Sequence, residues 1–274
     1  MINNMHNIIE KKVLANTITL LKVEAPLVVR GARPGQFVIV RLDEYAERIP
    51  LTICDMDKSR GVITLIIQEL GRSTKDLCAL KAGDRIRDIL GPLGNTSEIE
   101  KFGTVLMIGG GVGSGELYTV VRALKDKGNK VITILGARCK DLVILEDEFR
   151  KLADEVLITT DDGSYGMKGL VTDALKSLFE RGEKIDRIIC CGPIPMMKAV
   201  TLTANPKNIP TIVSLNAILL DATGMCATCR CTVAGKTVFS CVDGPEFDGY
   251  KVDFDELLHR NRRFLEEEKR ALES

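Results

Sequence analysis

Residues 104–128 read TVLMIGGGVGSGELYTVVRALKDKG, and their pattern decides the fold class. A short apolar run enters consecutive glycines, and an amphipathic helical pattern begins at Leu117 with Val120, Val121 and Leu124 on one face. A buried strand that feeds a helix through a glycine-rich turn opens a βαβ unit. Downstream the rhythm repeats. KVITILGA (130–137), EVLITT (155–160), DRIICCG (186–192) and TIVSL (211–215) are short apolar strands, with helical stretches such as KGLVTDALKSLFERG (168–182) between them. This alternation predicts a doubly wound parallel sheet over residues 99–215, with ligands at the carboxyl ends of its strands.

Upstream the period changes. ITLLKVEA (18–25), GQFVIVRL (35–42) and GVITLIIQEL (61–70) are short strand-like segments punctuated at ARPGQ, KAGD and GPLG. Period-two segments broken by turn residues predict a small antiparallel β-barrel over residues 1–98. Residues 216–274 form a third piece with a cysteine-rich loop and a charged helix from Asp253. Asp253 and Glu256 have capping-box spacing, and Phe254, Leu257, Leu258, Phe264 and Leu265 predict one apolar stripe.

The chain has 274 residues, enough for two ordinary domains and a smaller appendage. Lysine plus arginine and aspartate plus glutamate both number 38, a balance that argues against a nucleic-acid or anionic-membrane surface. No apolar run approaches the ~20 residues of a membrane span, and the polar N-terminus lacks the apolar core of a signal peptide. The expected location is the cytoplasm. There the nine cysteines are not expected to form a disulfide framework. Cys54, Cys78, Cys139 and Cys190 are scattered and read as small buried hydrophobes.

The remaining cysteines are clustered in DATGMCATCRCTVAGKTVFSC (221–241). Asp221, Cys226, Cys229 and Cys241 follow D-x4-C-x2-C-x11-C, which is a plant-type [2Fe–2S] pattern with a carboxylate at the first ligand position. Zinc is the alternative. It requires four nitrogen or sulfur ligands, and with only His6 and His259 present it would need Cys231 as the fourth. Cys231 is expected to turn away from the loop, so the cluster is favoured.

ARPGQFVIVRL, RIPLTI (48–53), GRST (71–74), GPLG, GGGVG (109–113), TDDGSYG (160–166) and CGPIPMM (191–197) occur in this order, with the cysteine domain last. Together they resemble the ferredoxin–NADP reductase superfamily. The arrangement is similar to the iron–sulfur electron-transfer subunits of dihydroorotate dehydrogenases. It is more similar still to the small subunits of NADH-dependent reduced ferredoxin:NADP oxidoreductases, which bifurcate electrons through flavin, carry aspartate at the first cluster position and have a segment like FSCVDGPEFDG (239–249). The resemblance spans essentially the whole chain and implies an NAD(P)H-linked oxidoreductase subunit that moves electrons between NAD(H) or NADP(H), FAD and a [2Fe–2S] cluster. A partner is implied as well, a larger flavin and [4Fe–4S] subunit that reaches ferredoxin. The alternatives are the dihydroorotate dehydrogenase subunit itself, or a redox-wiring subunit with a changed nicotinamide site.

The resemblance assigns roles residue by residue. Arg48, Pro50, Leu51 and Thr52 match the flavin motif, with Arg48 on the FAD diphosphate and the Thr52 hydroxyl near flavin N5. Gly71, Arg72, Ser73 and Thr74 match the loop that donates to the same phosphates. Gly110, Gly111 and Gly113 are implied at the dinucleotide diphosphate. Asp161, Asp162, Gly192 and Pro193 fall at the ribose and nicotinamide, and Cys191 joins Thr52 as a catalytic candidate. One position departs from the pattern. The family usually continues GVG with a small residue, then alanine or proline, then proline, whereas here Glu116 stands at the last of these, and a carboxylate in the first helical turn is expected to repel a phosphate.

Overall fold

The computed structural model describes residues 5–273. Two seven-stranded sheets and one hairpin carry the architecture. The first sheet contains β1 (His6–Ala15), β2 (Ile18–Glu24), β3 (Phe37–Arg41), β4 (Ile49–Asp57), β5 (Val62–Gln68), β6 (Arg85–Ile86) and β7 (Asp88–Leu93), with helices α1 (Pro26–Gly31) and α2 (Arg72–Ala79) in its connections. Its order is β6-β1-β2-β5-β4-β3-β7, antiparallel throughout. Strands β6 and β7 flank a single residue yet lie at opposite ends of that order, so the sheet curls into a nearly closed barrel. Ile8, Leu21, Val23, Val38, Ile63 and Leu65 fill its interior.

The second sheet holds β8 (Thr104–Gly110), β9 (Lys130–Ala137), β10 (Glu155–Thr160), β11 (Met167–Lys168), β12 (Arg187–Cys191) and β13 (Thr211–Ser214). Helices α3 (Gly113–Asp126), α4 (Glu146–Leu152), α5 (Val171–Glu180) and α6 (Ile194–Ala204) connect them. The order β11-β10-β9-β8-β12-β13 reverses direction between β8 and β12. That reversal is the topological switch point, where an α/β sheet opens a crevice for ligands. Both the glycine turn after β8 and Cys191 at the end of β12 lie there.

The cysteine-rich segment is built on a hairpin of β14 (Arg230–Val233) and β15 (Lys236–Phe239), followed by α7 (Ser240–Asp243), β16 (Glu246–Asp248), α8 (Phe254–Arg260) and α9 (Leu265–Glu273). β16 adds antiparallel to β13 and completes the second sheet. Cys229, Cys231 and Cys241 are buried in the same apolar cluster as α5, α6 and Leu257, so the cysteine loop is anchored on the parallel sheet.

Two expectations are corrected. The C-terminal segment does not form one helix: Asp253 caps α8 by accepting from the Glu256 amide at 2.9 Å, but the chain turns at 261–264 before α9. Phe254 and Leu257 are buried, whereas Phe264 and Leu265 are exposed, because four consecutive charged or amide residues, Arg260 to Arg263, leave the stripe nothing apolar to continue through. Among the scattered cysteines, Cys54, Cys78 and Cys190 are buried as expected, and Cys139 is only half-buried.

The barrel and the parallel sheet share a core face. Ile66 and Cys54 pack in one cluster with Leu117, Val121 and Phe149, and Arg122 of α3 donates to Asp55 of β4 at 2.5 Å. A side chain at Gly115 would meet Ile66 at 2.8 Å, so the missing Cβ lets α3 approach β5.

Candidate functional site

At the switch point four elements bring four polar side chains together. Thr52 lies in β4, Glu116 in the first turn of α3, Cys191 ends β12 and Ser214 ends β13. The Cys191 thiol donates to Glu116 Oε2 at 2.8 Å, and the Ser214 hydroxyl stands 3.5 Å from the same oxygen. Thr52 contacts the Glu116 carboxyl from the barrel side. Desolvation raises the Glu116 carboxyl above the ordinary range, against the opposing hydrogen bonds of Cys191, Thr52 and Ser214. The Cys191 thiol is raised well above its usual value, first by burial and then by Glu116. It is therefore a protonated thiol and a donor at neutral pH. The Glu116 carboxyl turns toward Cys191 and the barrel. Sequence reasoning found Thr52, Cys191 and Glu116 separately, but missed Ser214, a lone serine at a strand end.

The glycine turn beside this corner is a close-approach device. Gly111 has φ of +55°, and its amide donates to Gly136 O at 2.8 Å. A Cβ on Gly113 would stand 2.7 Å from the Cys191 carbonyl oxygen, and one on Gly110 would meet Met196 Sδ at 2.5 Å. These glycines, with Gly192 and Pro193 at the start of α6, line the crevice. Asp161 and Asp162 are exposed in the turn after β10. Asp162 Oδ1 accepts from the Ser164 amide and hydroxyl at 2.9 and 2.7 Å, so one of its oxygens fastens its own turn.

The flavin-motif residues assemble at one end of the barrel. Pro50 and Leu51 are paired with Ile39 and Val38 across β3, which fixes the strand that carries Thr52, while Arg48 is exposed just before it. Gly71 begins the α2 turn, in which Thr74 Oγ1 accepts from the Leu70 and Gly71 amides at 3.0 Å. Ser73 Oγ donates to Glu47 Oε2 at 2.7 Å, and Arg72 pairs with Asp76 one turn on. Two exposed guanidiniums, a hydroxyl and the start of an eight-residue helix form a donor set that fits a diphosphate, which must displace Glu47 from Ser73. The groove beside Tyr45, Ile49 and Arg72 is bordered by Ala271 of α9.

In the cysteine loop the four candidate ligands fall into two pairs. Asp221 Oδ2 accepts from the Cys226 amide, and Oδ1 from the Thr223 amide, both at 2.9 Å. Cys229 Sγ and Cys241 Sγ stand 3.2 Å apart as free thiols. Among the described residues no three His, Cys, Asp or Glu side chains converge on one ion. Two pairs fit a two-iron cluster, with two protein ligands on each iron, better than one tetrahedral zinc. Gly224 at φ of +84°, with Ala222 and Ala227 also left-handed, curls the loop around these groups. Cys231 sits in β14 beside Glu256 and Arg260 of α8. It is not strand alternation that separates it from Cys229, because residues two apart share a face; Cys229 precedes the strand, in the loop.

Comparison with known proteins gives the relatives of this arrangement. Residues 107–201 match the oxidoreductase NAD-binding domain family, and residues 216–253 match the iron–sulfur cluster binding domain of dihydroorotate dehydrogenase B. The chain is 49% identical to the dihydroorotate dehydrogenase B (NAD(+)) electron transfer subunit homolog of Thermotoga maritima, over 98% of this chain and 95% of that protein. It is 35% identical to the dihydroorotate dehydrogenase B (NAD(+)) electron transfer subunit of Geobacillus thermodenitrificans, over 88% and 94% of the two chains. Among solved structures, a chain of an NADH-dependent reduced ferredoxin-NADP oxidoreductase, described for flavin-based electron bifurcation, superposes with a TM-score of 0.92 at 48% identity, covering 98% and 97% of the two chains. An Amycolatopsis cytochrome P450 reductase shares the fold at 21% identity, with a TM-score of 0.65 over 75% of this chain and 66% of that one.

Proposed function

The chain belongs to the family of dihydroorotate dehydrogenase B electron-transfer subunits, and from that membership we propose that it passes electrons from NADH or NADPH through FAD and a [2Fe–2S] cluster to a larger partner subunit. The observation that carries this reading is the meeting of Thr52, of the flavin motif, with Cys191, of the nucleotide sheet, at one carboxyl group. That is where a flavin ring held by the barrel and a nicotinamide held by the crevice can face each other. When bound, the flavin supplies the exchange between two-electron hydride transfer and single-electron transfer, and the cluster carries single electrons.

The chain's own residues bind and orient. Arg48, Arg72, Ser73 and Thr74 hold the flavin diphosphate; Pro50 and Leu51 fix the strand that presents Thr52. Gly110, Gly111 and Gly113 let the nicotinamide dinucleotide approach the backbone at α3, and Asp161, Asp162, Gly192 and Pro193 border its ribose and ring. Cys191 is a neutral donor at the ring's edge, and the burial that keeps it protonated also excludes water. Asp221, Cys226, Cys229 and Cys241 hold the two irons. The segments 1–98, 99–215 and 216–274 divide this work among flavin, nucleotide and cluster.

The partner we propose is a larger flavin and [4Fe–4S] subunit that reaches ferredoxin. Support comes from the similarity to the reduced ferredoxin-NADP oxidoreductase chain and from Asp221 at the first ligand position. None of the described helices is long and apolar enough to cross a membrane, and nine free cysteines suit the reducing cytoplasm. The test is cofactor analysis of the purified protein followed by anaerobic mixing with NADH or NADPH. About one FAD and two irons per chain, with the flavin bleached by one of the two nucleotides, is the expected result. Zinc without acid-labile sulfide, or flavin that neither nucleotide bleaches, would contradict it.

A further inference from the structure

Three guanidiniums gather beside the cysteine loop, and the binding roles above leave them unused. Arg230 starts β14, Arg260 ends α8 and Arg263 follows in the turn before α9. Arg260 Nη2 and Arg263 Nη2 both donate to the Thr228 carbonyl, at 3.5 and 3.4 Å, and Arg230 Nη1 donates to the Ala227 carbonyl at 3.2 Å. Arg263 Nε also donates to the Arg260 carbonyl at 2.9 Å, which ties the turn to the end of α8. Ala227 and Thr228 are the two residues between Cys226 and Cys229. The three charges therefore converge on the backbone that joins two proposed iron ligands. Among the described residues none of the three enters an ion pair. The crowding is unfavourable in itself: burial first, then Arg263 and Arg230, push the Arg260 guanidinium below its usual value, against the pull of Glu256. Arg260 and Arg263 also lie beyond residues 216–253, the stretch that matches the cluster-binding family. Two of the charges thus reach the loop from outside that domain.

Net charge around an iron–sulfur cluster is one of the controls on its potential. An oxidised cluster held by three thiolates and a carboxylate is already negative, and reduction adds one electron without a proton. Fixed positive charges nearby therefore favour the reduced form. We propose that Arg230, Arg260 and Arg263 form an electrostatic collar that raises the reduction potential of this cluster, making it a stronger acceptor of electrons from the flavin. They act through their field at the loop, and the carbonyl bonds fix where each charge stands. Arginine suits this task because its guanidinium stays charged at every working pH and donates in a rigid fork. Glu256 of α8 and Asp243 of α7 act on the neighbouring Cys231 against Arg260 and offset part of that field. This inference rests on the cluster of the proposed function.

Anaerobic redox titration of the purified holoprotein, read by electron paramagnetic resonance, decides the matter, with iron and acid-labile sulfide measured first. Arg230→Gln, Arg260→Gln and Arg263→Gln are each expected to lower the potential, and Arg260→Gln with Arg263→Gln to lower it further. At a fixed ambient potential the ratio of reduced to oxidised cluster is expected to fall on the order of threefold per charge removed, the scale of a unit charge near a protein surface. The matching lysine variants keep the charge and are expected to stay near the wild-type potential, a pattern that a merely structural role would not produce. Raising the salt from about 0.05 to about 1 M is expected to narrow the gap between wild type and the double glutamine variant, because screening weakens the field. A wild type that holds no iron–sulfur cluster overturns the functional reading and this inference together. An intact cluster whose potential is the same in wild type and the double glutamine variant, or shifts equally in the glutamine and lysine variants, overturns the inference alone. If the double glutamine variant loses its cluster, Arg263→Gln, at an exposed residue, decides: a lowered potential supports the collar, and an unchanged one refutes it.

Discussion

The Cys191 thiol donates to Glu116 Oε2 at 2.8 Å, joining the end of β12 to the first turn of the helix that follows the glycine turn. A thiol beside an acid in a desolvated corner stays protonated. Burial holds the Glu116 carboxyl above its ordinary range only in part, since desolvation raises it while the bonds from Cys191, Thr52 and Ser214 lower it.

The burial of Glu116 sets a dependence of stability on pH. Its folded pKa is raised by desolvation, so the unfolded state gives up this proton more readily than the folded state. Its contribution to stability is complete below the ordinary carboxyl pKa and is lost as pH rises toward the raised one, at up to about 1.4 kcal/mol per pH unit. Glu116→Gln cannot ionise. The difference in unfolding free energy between wild type and Glu116→Gln, followed by urea denaturation, is predicted to shift in favour of the variant as pH rises across that window. A difference that does not vary with pH would show that the carboxyl is not desolvated.

Arg48→Ala is predicted to weaken FAD retention about 10- to 100-fold, the scale of a hydrogen bond to a charged group. Arg48 is exposed and immediately precedes the strand that carries Thr52. Gel filtration followed by flavin absorbance measures it. Unchanged flavin content would make Arg48 an ordinary surface charge.

Gly113→Ala tests the packing at the switch point. The added Cβ would stand 2.7 Å from the Cys191 carbonyl oxygen and 3.0 Å from Gly192 Cα, both backbone atoms that cannot swing aside. A loss of about 1–3 kcal/mol of stability is predicted, the range for overpacking, together with weaker nucleotide binding. Thermal unfolding of wild type and variant reads the first effect, and titration with NADH and NADPH the second.

Much of this was legible in the sequence because it rests on local patterns. The strand ending in GGGVG and the alternation of GQFVIVRL each declare their element within ten residues. What escaped depends on contacts between distant segments. β16 is only three residues long, too short for periodicity to register, and its identity as a sheet strand comes from β13. The turn at 261–264 was hidden because Phe264 and Leu265 stood at helical spacing, although nothing in the fold covers them. Glu116 was visible as an oddity in a familiar turn. Its partners could not be read, since Cys191 and Ser214 lie 75 and 98 residues away and meet it only through the reversal of strand order.

Asp221 is predicted to be an iron ligand. A carboxylate is a harder and weaker electron donor to iron than a thiolate, and ligand identity is a main control on cluster potential. Asp221→Cys is predicted to keep a [2Fe–2S] cluster at a lower reduction potential, and Asp221→Ala to make it labile. Redox titration with electron paramagnetic resonance checks both. Retention of potential and spectrum in Asp221→Ala, with loss of the cluster in Cys231→Ala, would move the fourth ligand to Cys231.

The central claim is that electrons from a nicotinamide reach the cluster through flavin within this one chain. Anaerobic titration of the purified protein with NADH and with NADPH, followed by low-temperature electron paramagnetic resonance, tests it most directly. The account predicts that one of the two nucleotides bleaches the flavin and raises the signal of a reduced [2Fe–2S] centre in the same protein. A cluster that is reducible by dithionite but silent toward both nucleotides, while FAD remains bound, would contradict it.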